Sequence, residues 1–121
     1  MPHRAIVAKE LAELLGVLAH PHRIRIIEEL RGGERDVTSI QSTLEISHSG
    51  VSQHLMQLRT HRLVTERREG RHVFYHLRQP GLARWLTEAI RFLEEEKGEA
   101  EQLRKVIQKT REDWSSPRAT H

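Results

Sequence analysis

Apolar residues recur along this chain at the two spacings from which a polypeptide builds regular structure. Val7, Leu11, Leu14, Leu15 and Leu18 fall three and four residues apart, so they share one stripe of a helix expected over residues 4–19. Pro21 ends that helix and suits the first turn of a second, whose inward positions are Ile24, Ile27 and Leu30 and whose end is marked by Gly32 and Gly33. His20 takes the N-cap, where an imidazole caps less well than Asp or Ser. Asp36 is placed to cap a short third helix to about Leu44, with Val37, Ile40 and Leu44 facing inward. After a turn, Ser47 can cap a fourth helix over residues 48–60. Val51, Leu55 and Leu58 share its buried face, while His48, Ser49, Ser52, Gln53 and Met56 stand on the opposite one. Two short helices joined by a tight turn, the second presenting small polar side chains, predict a helix-turn-helix over residues 36–60 whose second helix can enter a DNA major groove.

The period then changes. Residues 63–68 and 71–77 are rich in β-branched and aromatic side chains and flank Glu69-Gly70, which predicts a β-hairpin, or wing, over residues 63–77. Beyond Pro80-Gly81 the three-four spacing returns at Leu86, Ala89, Leu93, Ala100, Leu103 and Ile107, with Glu96 in the vacant position. One helix over residues 81–111 is expected, with a short coiled-coil-like seam, although Gly98 and the glutamates 94–96 weaken its continuity. Residues 114–121 are expected to be a disordered tail. The fold class is therefore mainly α with a small β-hairpin wing, in a single domain over residues 1–113.

Composition narrows the chemistry. With 121 residues the chain suits one domain, and its 4% aromatic content argues against a large aromatic-lined ligand pocket. A mean hydropathy of -0.64 and the lack of a long uncharged apolar run exclude a membrane helix, and no secretory signal is legible, so a cytoplasmic location is expected. Cysteine is absent, which removes disulfides, thiolate metal sites and thiol catalysis. The net charge of +3 is modest, but its distribution is not. Between Arg59 and Arg78 lie six arginines against two glutamates, whereas Glu94, Glu95, Glu96, Glu99 and Glu101 cluster later. The basic stretch coincides with the end of the fourth helix and the wing.

The order of elements and three stretches of sequence resemble the winged helix-turn-helix of the ArsR/SmtB family of bacterial repressors. Residues 18–26, Leu-Ala-His-Pro-His-Arg-Ile-Arg-Ile, resemble the family's Leu-Ala-Asp-Pro-Thr-Arg-Leu-Arg-Ile at the start of its second helix. Residues 47–55, Ser-His-Ser-Gly-Val-Ser-Gln-His-Leu, with Leu58-Arg59, resemble its recognition helix, and residues 67–75, Arg-Arg-Glu-Gly-Arg-His-Val-Phe-Tyr, its wing. The resemblance spans residues 11–93. It implies a homodimeric DNA-binding regulator, most simply a repressor, in which the first and last helices form the interface and space two recognition helices on a palindromic operator. There are two departures. Asp36, Val37 and Thr38 stand where metal-responsive members carry Cys-Val-Cys, and residues 82–97 hold no histidine where other members draw metal ligands from the last helix. No cofactor is expected, and the effector is not legible.

The candidate base readers are Ser49, Ser52 and Gln53, since short hydroxyls fit the groove and Gln can pair bidentately with adenine, with His48 beside them. The bland alternative is a solvated helix face. Arg67, Arg68 and Arg71 sit at or beside the wing turn, where they could reach phosphates or the minor groove, or could simply discourage strand pairing at a hairpin edge. Arg59, with Arg62, could touch the DNA backbone or satisfy the last helical carbonyls. His54 borders the buried stripe and reads as a packing or interface residue. Nine histidines raise a metal hypothesis, for which His3, His20 and His22 are the candidates, against ordinary surface histidines. Leu11, Leu14, Leu18, Leu86, Leu93 and Leu103 are the candidate dimer contacts, the alternative being packing within one chain. No nucleophile elbow, phosphate loop or His-Glu metal motif points to an enzyme. The other reading is a helical interaction protein or antitoxin whose basic patch binds an acidic partner.

Overall fold

Local capping chemistry sets most of the boundaries in the computed structural model, which describes residues 2–96 and 101–116. Helix α1 (Pro2–Leu18) gives way at Pro21, which opens α2 (Pro21–Glu29) where its missing N–H leaves no intrahelical bond unmade. His20 caps α2 by accepting the His22 N–H on Nδ1 at 3.3 Å, and a 3-10 turn (Leu30–Gly32) ends the segment. Asp36 caps α3 (Val37–Leu44), taking the Ser39 N–H on Oδ1 at 2.9 Å. Glu45 stops α3 in the left-handed region at φ 57°, its N–H returning to the Gln41 carbonyl at 2.9 Å. Two residues later Ser47 Oγ accepts the Gly50 N–H at 3.0 Å and starts α4 (His48–Thr60). A Cβ at Gly50 would lie 3.1 Å from that hydroxyl, so glycine leaves the cap undisturbed.

Helix α4 ends in a Schellman arrangement. Leu63 N–H reaches the Leu58 carbonyl and Arg62 N–H the Arg59 carbonyl, both at 2.9 Å, with Arg62 at φ 62° where glycine is usual. The turn delivers the chain into β2 (Val64–Glu69), and Gly70, at φ 62°, reverses it into β3 (His72–Leu77). A third strand, β1 (Arg35–Asp36), pairs antiparallel with β3, Arg35 opposite Tyr75 and Asp36 opposite Phe74. The sheet order is β1-β3-β2. Two residues are too few to carry an alternating signal, and β1 has no counterpart in the sequence reading.

The core of this winged unit is aliphatic. Ile26, Ile27, Leu30, Ile40, Leu44, Val51, Leu55 and Leu58 are buried, and Val64 and Leu77, paired in register, close the base of the wing. Each such side chain contributes roughly 1.5–3 kcal/mol of burial free energy. In α2 the inward residues are Ile26 and Ile27, continued by Leu30 in the 3-10 turn; Ile24, expected to face in, is only half-buried. A nine-residue helix starting at Pro21 has one narrow inward face, and Ile26 and Ile27 straddle it.

The chain divides into two compact units, residues 1–79 and 80–121. The second unit departs from the expected single helix over residues 81–111. It contains α5 (Gly81–Glu96) and α6 (Glu101–Ser115), and Arg111 Nε donates to Glu94 Oε2 at 2.8 Å. On one straight helix those residues would stand about 25 Å apart. The apolar spacing is blind to this break because both helices keep a three-four period. Trp114 and Ser115, expected in the tail, belong to α6. The expectations for Gly98, Ala100 and residues 117–121 lie outside the described residues. No helix among the described residues is long and apolar enough to cross a membrane.

Candidate nucleic-acid interface

The buried stripe of α4 fixes what its other side presents. Because Val51, Leu55 and Leu58 are fully enclosed, His48, Ser49, Gln53 and Met56 are held exposed and Ser52 half-buried on the far face. Ser49 Oγ lies 3.3 Å from the capping Ser47 Oγ, which orders the first turn. An open cleft of about 270 Å³ runs between the starts of α3 and α4 and strand β3; His48, Ser52, Arg71 and His72 line it together with Asp36 and Thr38. The structure thus brings one predicted base reader, Ser52, its neighbour His48 and a predicted wing cation, Arg71, to one concavity.

The predicted cations fall into two groups. Arg68 and Arg71 are exposed and make no ion pair among the described residues. Arg67 is engaged internally: its guanidinium takes Glu34 Oε1 at 2.5 Å and Glu69 Oε2 at 2.6 Å and lies 4.8 Å over the Phe74 ring, its cross-strand neighbour. The Glu34 hydrogen bond, then that of Glu69, raises the Arg67 pKa further, and the same contact holds the Glu34 carboxyl below the usual range. Arg59 pairs with Glu66 Oε1 at 2.5 Å, and the Tyr75 hydroxyl donates to Glu66 Oε2 at 3.2 Å, so Glu66 ties the end of α4 to both wing strands. Burial, then the Glu66 charge, raises the Tyr75 pKa, so the phenol stays neutral as a donor.

The histidine candidates are rearranged. His3 stands in the first turn of α1, about 22 Å along the helix from its end. His20 and His22 instead meet His54 of α4, with ring centroids 4.4 Å apart for His20 and His54 and 5.5 Å for His22 and His54. Arg23 Nε donates to His54 Nδ1 at 3.3 Å. The Nδ1 lone pairs of His20 and His54 are therefore already occupied by donors, and among the described residues no group of three potential ligands is placed to hold a metal ion. The positions matching the family's cysteine motif do not fit a metal either. Asp36 is spent on capping α3, with hydrogen bonds from the Ser39 side chain and then its N–H lowering its pKa, and Thr38 supplies no thiolate.

Of the candidate dimer contacts, Leu18 is buried within the chain, Leu14 and Leu86 are half-buried, and Leu11, Leu93 and Leu103 are exposed. Sequence reasoning missed Glu34 and Glu66, whose roles depend on partners across the sheet, and it read His54 without its neighbours. For His54 a signal existed in the His-Pro-His-Arg run at residues 20–23, but nothing local places that run beside α4.

The model of bacterial regulatory proteins of the arsR family matches residues 20–66, from the cap of α2 into β2. A transcriptional repressor SmtB homolog of Synechocystis is 40% identical over 70 residues, covering 58% of this chain and 53% of that protein, so the match spans about half of the relative's length. The biofilm growth-associated repressor of Agrobacterium fabrum is 40% identical over 83 residues, covering 69% of this chain and 70% of that protein. The homodimeric winged helix-turn-helix DNA-binding domain of a Mycobacterium bovis protein, described as a possible ArsR-family transcriptional regulator, matches with a TM-score of 0.68 at 26% identity, over 79% of this chain and 89% of that one. With a capped recognition helix, a three-stranded wing and relatives of this kind, the chain belongs to the arsR family of bacterial regulatory proteins and is a transcriptional regulator rather than an enzyme.

Proposed function

We propose that this regulator binds double-stranded DNA sequence-specifically as a homodimer on a palindromic operator, and represses by occluding a promoter. The observation that carries the reading is the α4 face: Ser49, Ser52 and Gln53 are held outward by a fully buried stripe, and the unpaired Arg68 and Arg71 stand in the adjoining wing. Short hydroxyl and amide groups read base edges, while long cations beside them contact phosphates, so both halves of specific recognition are supplied by neighbouring elements. Homodimerisation is supported by the exposed apolar residues of α1 and α5 and by the homodimeric state of the Mycobacterium bovis relative. The chain carries no thiol, which favours control by a ligand other than a thiolate-bound metal or by the protein's own abundance. The test is to mix the protein with the DNA upstream of its own coding sequence and map the protected bases. Two protected half-sites about one helical turn apart are expected; protection that ignores sequence would overturn the reading.

A further inference from the structure

Arg23 joins three helices. Its Nη1 donates to the Val17 carbonyl at the end of α1 at 3.1 Å, while its Nε donates to His54 Nδ1 in the middle of α4, across 31 positions of sequence, at 3.3 Å. His54 directly follows Ser52 and Gln53, so whatever holds the imidazole also sets the rotation of the face that carries the proposed base readers.

The bond to Arg23 has a strict protonation requirement. An imidazole accepts at Nδ1 only in the neutral form with its proton on Nε2, and a protonated ring is a donor at both nitrogens. His20 obeys the same rule, because its Nδ1 accepts the His22 N–H that caps α2. The His22 ring lies 5.6 Å from that of His20. Three imidazoles and one guanidinium therefore crowd together, and protonation of any ring sets like charges against each other. The groups acting on His54 are His20, Arg23 and His22, all from the start of α2; α3 and β2, which also pack against α4, contribute none. Burial first, then His20, Arg23 and His22, holds the His54 pKa below its ordinary 6.5, so the ring is neutral at pH 7.

We propose that His54 is a positioning residue for the recognition helix and that acidification releases it, breaking the link to Arg23 and lowering affinity for the operator. The inference rests on the DNA-binding reading of α4. Its sign follows from linkage. The loosened arrangement, with the His54 imidazole free to charge, binds more protons than the tied one, so it gains population as the pH falls below 6.5. This opposes the ordinary trend, in which acidification adds positive charge to a protein and strengthens its non-specific hold on DNA.

The experiment measures binding of the wild type and His54→Gln to the footprinted operator and to a random duplex at pH 7.5 and pH 5.5, at fixed salt. Glutamine keeps an acceptor for Arg23 but does not titrate. The wild type is expected to lose operator affinity severalfold between pH 7.5 and pH 5.5 without losing affinity for random DNA. His54→Gln should bind the operator nearly as well at pH 7.5 and lose far less at pH 5.5. A parallel loss in both proteins overturns the proposal. Should His54→Gln fail to fold, the His54 ring is titrated by NMR in the wild type: a midpoint below 6.5 with loss of the Arg23 contact supports the link, and a midpoint at or above 6.5 overturns it. If the wild type binds no operator even at pH 7.5, the DNA reading falls, while the same ring titration still decides the proton link.

Discussion

Arg67 and Glu34 form a two-pronged pair, Nη2 to Oε1 at 2.5 Å and Nε to Oε2 at 3.2 Å, that pins the outer wing strand to the loop before β1. A cation held in this way by carboxylates has no charge to spare for a phosphate, unlike Arg68 and Arg71. Arg68→Ala and Arg71→Ala should each reduce the salt dependence of operator binding by about one unit of slope, and Arg67→Ala should leave the slope unchanged. A slope that fell as far in Arg67→Ala would show that the Glu34 pair opens on DNA. Because the Glu34 carboxyl is held below its ordinary 4.5, the pin is complete at neutral pH and is lost only as the pH falls through that lowered value.

Base reading predicts a different signature. Ser52→Ala and Gln53→Ala should each weaken binding to the operator by about 1–3 kcal/mol and barely change binding to random DNA. Titrations on the two duplexes at one salt concentration separate these effects. Equal losses on both would mean that the face contacts the backbone and not the bases.

Glu45 occupies a left-handed position, φ 57°, at the turn between α3 and α4. Its side chain is exposed and none of the hydrogen bonds or ion pairs above involves its carboxylate. Glu45→Gly should therefore stabilise the protein by about 0.5–1 kcal/mol, the relief of a Cβ in this region set against a looser unfolded chain. The midpoint of chemical denaturation reads this directly. A lower midpoint would show that the glutamate side chain supports the turn.

The parts of this fold that were legible in the sequence are those settled within a few residues. Asp36 and Ser47 each cap the helix beginning one residue later, and the Val51, Leu55, Leu58 spacing picks out the buried side of α4, so its outer face follows by subtraction. The parts that were not legible need a partner far along the chain. Arg67 and Arg71 look alike in a basic stretch, and Glu34, 33 residues upstream of Arg67, together with the nearby Glu69, tells them apart. His54 looks like an ordinary packing residue until α2 brings His20, His22 and Arg23 beside it. The break between α5 and α6 was hidden for the opposite reason: a continuous three-four spacing describes two helices as well as one.

The remaining prediction concerns dimerisation. On α1, Val7, Leu11 and Leu15 are 63%, 47% and 46% exposed, and on α5 Phe92 and Leu93 are 70% and 48% exposed. Such residues gain roughly 1.5–3 kcal/mol each when fully buried, and in a two-fold interface every contact occurs twice. Leu11→Glu or Leu93→Glu would instead bring a carboxylate into that interface from both protomers, a desolvation cost of several kcal/mol. Either variant should run as a monomer by light scattering while keeping its helical content, because neither leucine belongs to the buried core. Operator binding should weaken sharply, since two half-sites engaged together gain from effective concentration and a monomer engages one. Conservative controls, Leu11→Met and Leu93→Met, should remain dimeric. If Leu11→Glu and Leu93→Glu both stay dimeric at low micromolar concentration, the interface lies on other surfaces, and the half-site spacing would have to be set by them.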